Sequence, residues 1–570
     1  FGRTSSIKGS QTDHAVSEKT DCIMLIINSY AIRSVIQGLT GPNENSPDQK
    51  ENGELATKIS DRKSQELIIA FVGPVGSGVS TCSTKASEIL KSSYGYDICL
   101  YQRLSELISR EAHRVGKIAP NKKDADRNLY ITEMQNIGNS LREKFGESYL
   151  IEKTIEEIKR IREEKDGVKE TSNGEIIIPG RRAYIIDSIK HISELKLLRE
   201  VYGESVILFG VFAPDDIRRE RLTKNGVEKS QIDSILSRDE QEQKTFGQKT
   251  RKVFVESDFF LCNDRKEDEI VVKLSRYFDL IFSSKIHTPT RAETAMYEAC
   301  AASVNSACMS RQVGASIVSE SGELIGIGWN DVPKFGGGLY REDDQKQYDE
   351  KIGDFLNKDN RCFLWEKKIC HNEVRRNDII DDIIKRLDVA KILNKKAKKH
   401  EILDVLKGTA VDSLIEFSRS IHAEMEAILS VAREGRHSLV GSTLYTNTYP
   451  CHNCARHIVA SGIKEVLYIE PYKKSLATTL HCDSITENPN DNEVISKVLF
   501  RQYDGVAPHN YFKVFKMHRD RKGNGKMIIH DPHRVTPLFS IPLDDLMKYE
   551  DKVVSELAAK ESVNFSADGG

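Results

Sequence analysis

An excess of charge of one sign is missing from this chain: 84 Lys and Arg stand against 86 Asp and Glu, a formal net charge of −2 over 570 residues. A protein whose main partner is a long nucleic acid carries a basic surplus, so that class is disfavoured. No apolar run is long enough to span a bilayer. The stretch Cys22-Ile23-Met24-Leu25-Ile26-Ile27 is too short, and polar, charged sequence precedes it, so it does not read as a signal peptide. A disulfide framework is also missing. The 11 cysteines are scattered, and several, such as Cys99 and Cys262, lie in apolar runs, which points to a reducing, cytoplasmic setting. The length leaves room for roughly two to four domains with buried cores.

One lysine is absent where a motif asks for it. Glu66-Leu67-Ile68-Ile69-Ala70-Phe71-Val72 is a continuous apolar run of buried parallel-strand type, and it leads into Gly73-Pro74-Val75-Gly76-Ser77-Gly78-Val79-Ser80-Thr81 and a helical pattern. Strand, glycine-rich turn and helix form a cradle of backbone N–H groups for phosphates. Val79 stands where the lysine of G-x-x-x-x-G-K-[ST] belongs. Phosphoryl transfer is thereby disfavoured, while phosphate binding by Gly73, Gly76, Ser77, Gly78, Ser80 and Thr81 survives; a tight turn without ligand is the bland alternative. The strand Arg182–Asp187 ends in Asp187, where a magnesium-organising acid sits in P-loop proteins. Further strands at 206–212 and 258–263 alternate with helices, which gives a parallel sheet. The charged run Arg218 to Arg221 reads, taken alone, as a solvated helix face.

The sharpest signal is Ser420-Ile421-His422-Ala423-Glu424 followed by Thr448-Tyr449-Pro450-Cys451-His452-Asn453-Cys454, that is, H-x-E and then P-C-x-x-C. This is the pattern of zinc deaminases of nucleobases. A zinc ion held by His422, Cys451 and Cys454 keeps a fourth position open for an acidified water. Glu424 reaches the same side without ligating and is the candidate proton shuttle. His422 and Cys451 each open a helix, where backbone N–H groups favour thiolate. A structural zinc would want a fourth protein ligand. His452 and His457 are near in sequence, but neither accounts for Glu424.

Before this pair come a small-residue helix from about 291, a strand at Val313-Gly314-Ala315, a hairpin around Ser321-Gly322, and the turn Gly328-Trp329-Asn330. In that order the V-G-A strand, G-W-N-x-x-P, H-A-E and P-C-x-x-C closely resemble deoxycytidylate deaminases. With the degenerate P-loop, nucleotide-kinase-like segment in front, the chain resembles bacterial anti-phage dCTP deaminases over about 65–515. The resemblance implies an α/β architecture, a P-loop parallel sheet at 63–285 joined to a cytidine-deaminase-like αβα domain at 286–535. An insertion at about 335–418, a disordered extension at 1–62 and a tail at 536–570 complete the expectation. It implies deamination of dCTP, and of dCMP as second candidate, depleting the pool during phage infection. Asn330 would contact the sugar, with a buried Asn capping a turn as the bland alternative, and Tyr472 the base or sugar, with a core-edge tyrosine as its alternative. Mg2+ and a nucleotide in the P-loop domain, a homo-oligomer and a small inhibitory RNA partner are further implications. The competing readings are a tRNA or DNA editor and a phosphotransferase with a structural zinc module. A second metal near Cys362, Cys370 and His371 is left open by their spacing.

Overall fold

The computed structural model describes residues 64–567, apart from short stretches at 123–124, 166–167, 172–173, 178–179, 241–245, 265–266, 345–346, 357–358, 366, 394–397, 407–408, 410, 412–413, 473–474, 490–495 and 541–545. The extension expected at 1–62 lies outside the described residues. Every residue of β1 (Leu67–Val72) is buried, and the alternation of a strand sends them to two interiors. Leu67, Ile69 and Phe71 join Ile207 and Phe209 in one cluster; Ile68, Ala70 and Val72 join Tyr184, Ile186 and Leu208 in another. The run reads as unbroken apolar because a parallel strand covered on both faces has no solvent side.

Around β1 stand β2 (Asp97–Arg103), β3 (Arg182–Asp187), β4 (Val206–Phe212) and β5 (Phe259–Cys262), in the order β5-β4-β1-β3-β2 and all parallel. One face is covered by α1 (Val79–Tyr94), the other by α2 (Arg127–Phe145) and α3 (Tyr149–Glu164). Next come α4 (Asp215–Lys224), α5 (Lys229–Glu240), α6 (Thr250–Phe254) and α7 (Glu267–Phe282); α7 joins the α1 face.

The second sheet follows α8 (Arg291–Ser303). It contains β6 (Gly314–Val318), β7 (Leu324–Trp329), β8 (Thr443–Thr448), β9 (Glu465–Glu470), β10 (Ile485–Thr486) and β11 (Val498–Gln502), in the order β10-β11-β9-β8-β6-β7. The sheet is mixed: β6 runs antiparallel to β7 and β8, while β8, β9, β11 and β10 are parallel. The 335–418 segment carries α9 (His371–Val389) and α10 (Lys399–Leu406). α11 (Ala423–Glu434) and α12 (His452–Ala460) cover one face through Ala423, Ala427, Val431, Ala455 and Ile458. The α/β architecture expected from the sequence is present.

Two late segments return to the first layer. β12 (Gly505–Val506) pairs antiparallel with β5. α13 (Leu546–Ala567) packs on α3, and its buried Glu550 holds Arg162, which also grips Glu66 at 2.7 Å. The core does not stop at the boundary either. The cluster that starts under β1 runs through Phe254 and Phe260 to Ala295, Met296 and Ala299 of α8 and on to Leu467 and Ile469 of β9. Both sheets fall in one compact unit, Thr57–Gly570.

Candidate active site

Glycines in the β6–β7 hairpin set the distance at which the site helix lies. A Cβ added at Gly328 would meet the Ala427 amide nitrogen at 2.3 Å and the Ala423 carbonyl at 2.4 Å. At Gly314 it would meet the Ala299 carbonyl at 1.9 Å, so α8 sits equally close on the other face. Only backbone without side chain tolerates this approach. The Ile421 N–H bonds the Asp331 carbonyl at 3.0 Å, so the chain enters α11 already tied to the turn after β7. His422 is then the N-cap of α11, in extended conformation, and Cys451 is the N-cap of α12 in the same conformation.

These two caps face each other at the carboxyl end of β8, where open α/β sheets place their ligands. The His422 Nδ1 lies 3.3 Å from both the Cys451 and Cys454 sulfurs. Their ligand atoms all fall within 4.8 Å of one another, and no other such group of three exists among the described residues. Cys362, Cys370 and His371 line the same cavity but form no such cluster. His457 is engaged elsewhere, its Nδ1 lying 2.7 Å from the Asn453 carbonyl.

The donor set fits zinc on its own chemistry. Both thiols are buried, and the thiol of Cys451 is pulled down to about 4 by the Cys454 hydrogen bond and then, against burial, by His422. His422 is raised to about 9, chiefly by Cys451. Without metal, thiolate thus faces imidazolium while the buried Cys454 thiol is pushed up and keeps its proton; a cation seated between the three atoms would take the place of those protons. Glu424, 4% exposed, accepts from the Cys454 thiol at 3.4 Å, and burial holds its carboxyl above the ordinary range. A cavity of about 250 Å³ opens over these groups.

Asn330 and Tyr472 both line that cavity. The amide of Asn330 braces the entry loop: Oδ1 accepts from the Val313 N–H at 2.7 Å and Nδ2 donates to the Arg311 carbonyl at 2.8 Å. Sequence reasoning missed Arg311 and Arg419 at the cavity wall. Arg311 pairs with Glu470, which Arg251 of α6 also holds at 2.7 Å. Arg419 lies 3.8 Å over the Trp365 ring. The one available signal was that each stands within a few residues of a recognised piece, V-G-A or H-A-E.

At the first sheet, Gly76 and Gly78 take left-handed conformations (φ 86° and 81°), and the Ser80 hydroxyl donates to Asp187 at 2.6 Å. Gly73, Gly76, Gly78, Ser80, Thr81 and Asp187 line one cavity of about 680 Å³; Ser77 is buried in the loop behind it. Arg218 and Arg221, read alone as a solvated face, turn onto the loop carbonyls of Val75, Gly76 and Ser77.

A family model, the cytidine and deoxycytidylate deaminase zinc-binding region, matches residues 289–470. The deoxycytidylate deaminase of Enterobacteria phage T4 is 31% identical over 185 residues, 32% of this chain and 80% of that protein. The phage T2 deoxycytidylate deaminase is 30% identical over 185 residues, 32% of this chain and 82% of its own. In the N-terminal region, a UPF0200/UPF0201 protein of Archaeoglobus fulgidus is 25% identical over 244 residues, 41% of this chain and 63% of that protein. Similarity extends over most of a viral deaminase, and the family region includes both helices whose caps converge here, so the chain belongs to the cytidine and deoxycytidylate deaminase family.

Proposed function

We propose that the protein hydrolyses the C4 amine of a deoxycytidine nucleotide, releasing ammonia and the deoxyuridine nucleotide, with dCTP as substrate and dCMP as second candidate. The observation that carries this reading is the His422–Cys451–Cys454 cluster with buried Glu424 beside it in a cavity of about 250 Å³. Zinc bound there would supply Lewis-acid activation of the attacking water. Glu424 takes a proton from that water, delivers it to N3 of the ring and then assists the departing amine; burial, which favours its neutral form, suits it to hold a proton between the steps. Asn330 meets the sugar with the hydrogen-bonding capacity its loop contacts leave over, and Tyr472 packs on base or sugar. Arg311 and Arg419 at the cavity wall are the cations for the phosphates.

The resemblance to anti-phage dCTP deaminases extends the proposal to depletion of the cytosine nucleotide pool during phage infection, by a homo-oligomer. The P-loop segment then acts as a nucleotide sensor, its Ser80–Asp187 pair being the place for Mg2+. Incubating the zinc-loaded protein with dCTP, dCMP, CTP and a cytosine-containing oligonucleotide tests the reading. Deamination of the deoxynucleotides is expected; conversion of the oligonucleotide alone would make the protein an editor instead.

A further inference from the structure

The loop Gly73–Thr81 has Val79 where its cation should be, and the structure explains why the position cannot simply be refilled. Val79 is 7% exposed and belongs to the core cluster with Phe71 and Phe209. A Cβ at Gly73 would lie 2.7 Å from its Cγ2. A charge placed there would be taken out of water against apolar packing.

Another lysine reaches the same loop. After β3 the chain kinks at Ser188 (φ 75°), and the Lys190 ammonium lies 2.8 Å from the Gly73 carbonyl and 2.9 Å from the Asp239 carboxylate. Asp239, 1% exposed near the carboxyl end of α5, accepts the Val75 N–H at 2.8 Å with its other oxygen. A buried carboxylate at the negative end of a helix dipole is poorly placed for its own helix. It is placed well for the loop: an anion on a P-loop N–H, next to a cation, is what a bound phosphate would be. The wall of the same cavity also carries Gln135, 5% exposed, whose Oε1 has no hydrogen-bond partner among the described residues. An orphaned buried acceptor calls for a donor, which a phosphate oxygen is not and a sugar hydroxyl or base amine is.

Resting on the P-loop reading above, we propose that Lys190 is the phosphate-binding lysine of this loop, supplied from the segment after β3, and that Asp239 is its internal stand-in for a terminal phosphate. A nucleoside triphosphate would displace the Asp239 carboxylate and take over both Lys190 and the Val75 N–H.

The test titrates ATP and inorganic tripolyphosphate, with Mg2+, into the full-length zinc-loaded protein and its variants by calorimetry. Lys190→Ala weakens binding by about tenfold or more, the loss of one close charge contact, and Lys190→Arg restores most of it. Asp239→Asn tightens binding, because the competitor has lost its charge. These opposite signs are the decisive readout. If Lys190→Ala does not fold, Asp239→Asn and Lys190→Arg still read displacement and cation separately. Equal weakening by Asp239→Asn and Lys190→Ala would make the pair a structural clasp and overturn the proposal. Binding in the wild type that neither variant alters would overturn it while sparing the P-loop reading. Absence of any binding in wild type and Asp239→Asn alike would remove that reading together with the proposal.

Discussion

Glu424 is the residue whose chemistry is most easily separated from its shape. Glu424→Gln keeps the side chain's volume and loses its proton traffic, so turnover should fall by about 10²- to 10⁴-fold while metal analysis still finds zinc. Near wild-type turnover would exclude Glu424 as the shuttle. Gly328 tests position in place of chemistry. With backbone atoms of α11 only 2.3 and 2.4 Å from the new methyl, Gly328→Ala must push the helix away. The expected loss is about 1–3 kcal/mol of stability with reduced zinc content, read by melting and metal analysis; an unchanged zinc stoichiometry would show that the helix has slack. At this scale the sequence was legible where chemistry dictates residue type. His422, Glu424, Cys451 and Cys454 stood out by residue type and spacing, and the structure brings them together. It was less legible in the partners: that the Asn330 amide bonds Val313 and Arg311, and that Val79, readable as a lesion, is packed into the core with Phe71 and Phe209, depend on contacts the sequence does not spell out.

Among the elements, α8 packs into the core shared by the two sheets, and Glu293 secures it. Glu293 closes a capping box with Thr290, receives both Arg276 Nη groups at 2.8 and 2.7 Å and accepts the Val506 N–H at 3.1 Å. Burial works against its charge, but the Arg276 hydrogen bonds and charge outweigh that and hold the carboxyl below its ordinary 4.5. A carboxyl depressed in the folded state contributes its full stability above the unfolded value and loses it as pH falls through the folded one. Glu293→Gln should therefore melt lower than wild type near neutral pH. The gap should narrow as pH falls below 4.5 and vanish once the depressed folded-state value is passed; a constant gap across acid pH would refute the linkage. Strands and helices with a clear period were readable in the sequence. β12 was not, since two residues carry no pattern and its pairing depends on an edge of β5. α13 hid for another reason: Glu550, charged and fully buried, sits where an apolar residue would be expected, and its partner Arg162 lies 388 residues away.

For the whole molecule, the continuous cluster beneath both sheets predicts one cooperative transition. Scanning calorimetry should show a single endotherm, and chelating the zinc should lower it as a unit, because a ligand bound only to the folded state stabilises everything that folds with it. Two resolved transitions, only one of them shifted, would mean the sheets unfold apart. Arg251 of α6 holding Glu470 at the end of β9 adds a polar tie to the apolar one. Each large apolar side chain bared by separating the layers costs about 1.5–3 kcal/mol. Anyone hoping to transplant the catalytic half onto another protein would therefore have to furnish a new backing for Ala295, Met296 and Leu467, or else receive a sticky fragment in place of an enzyme.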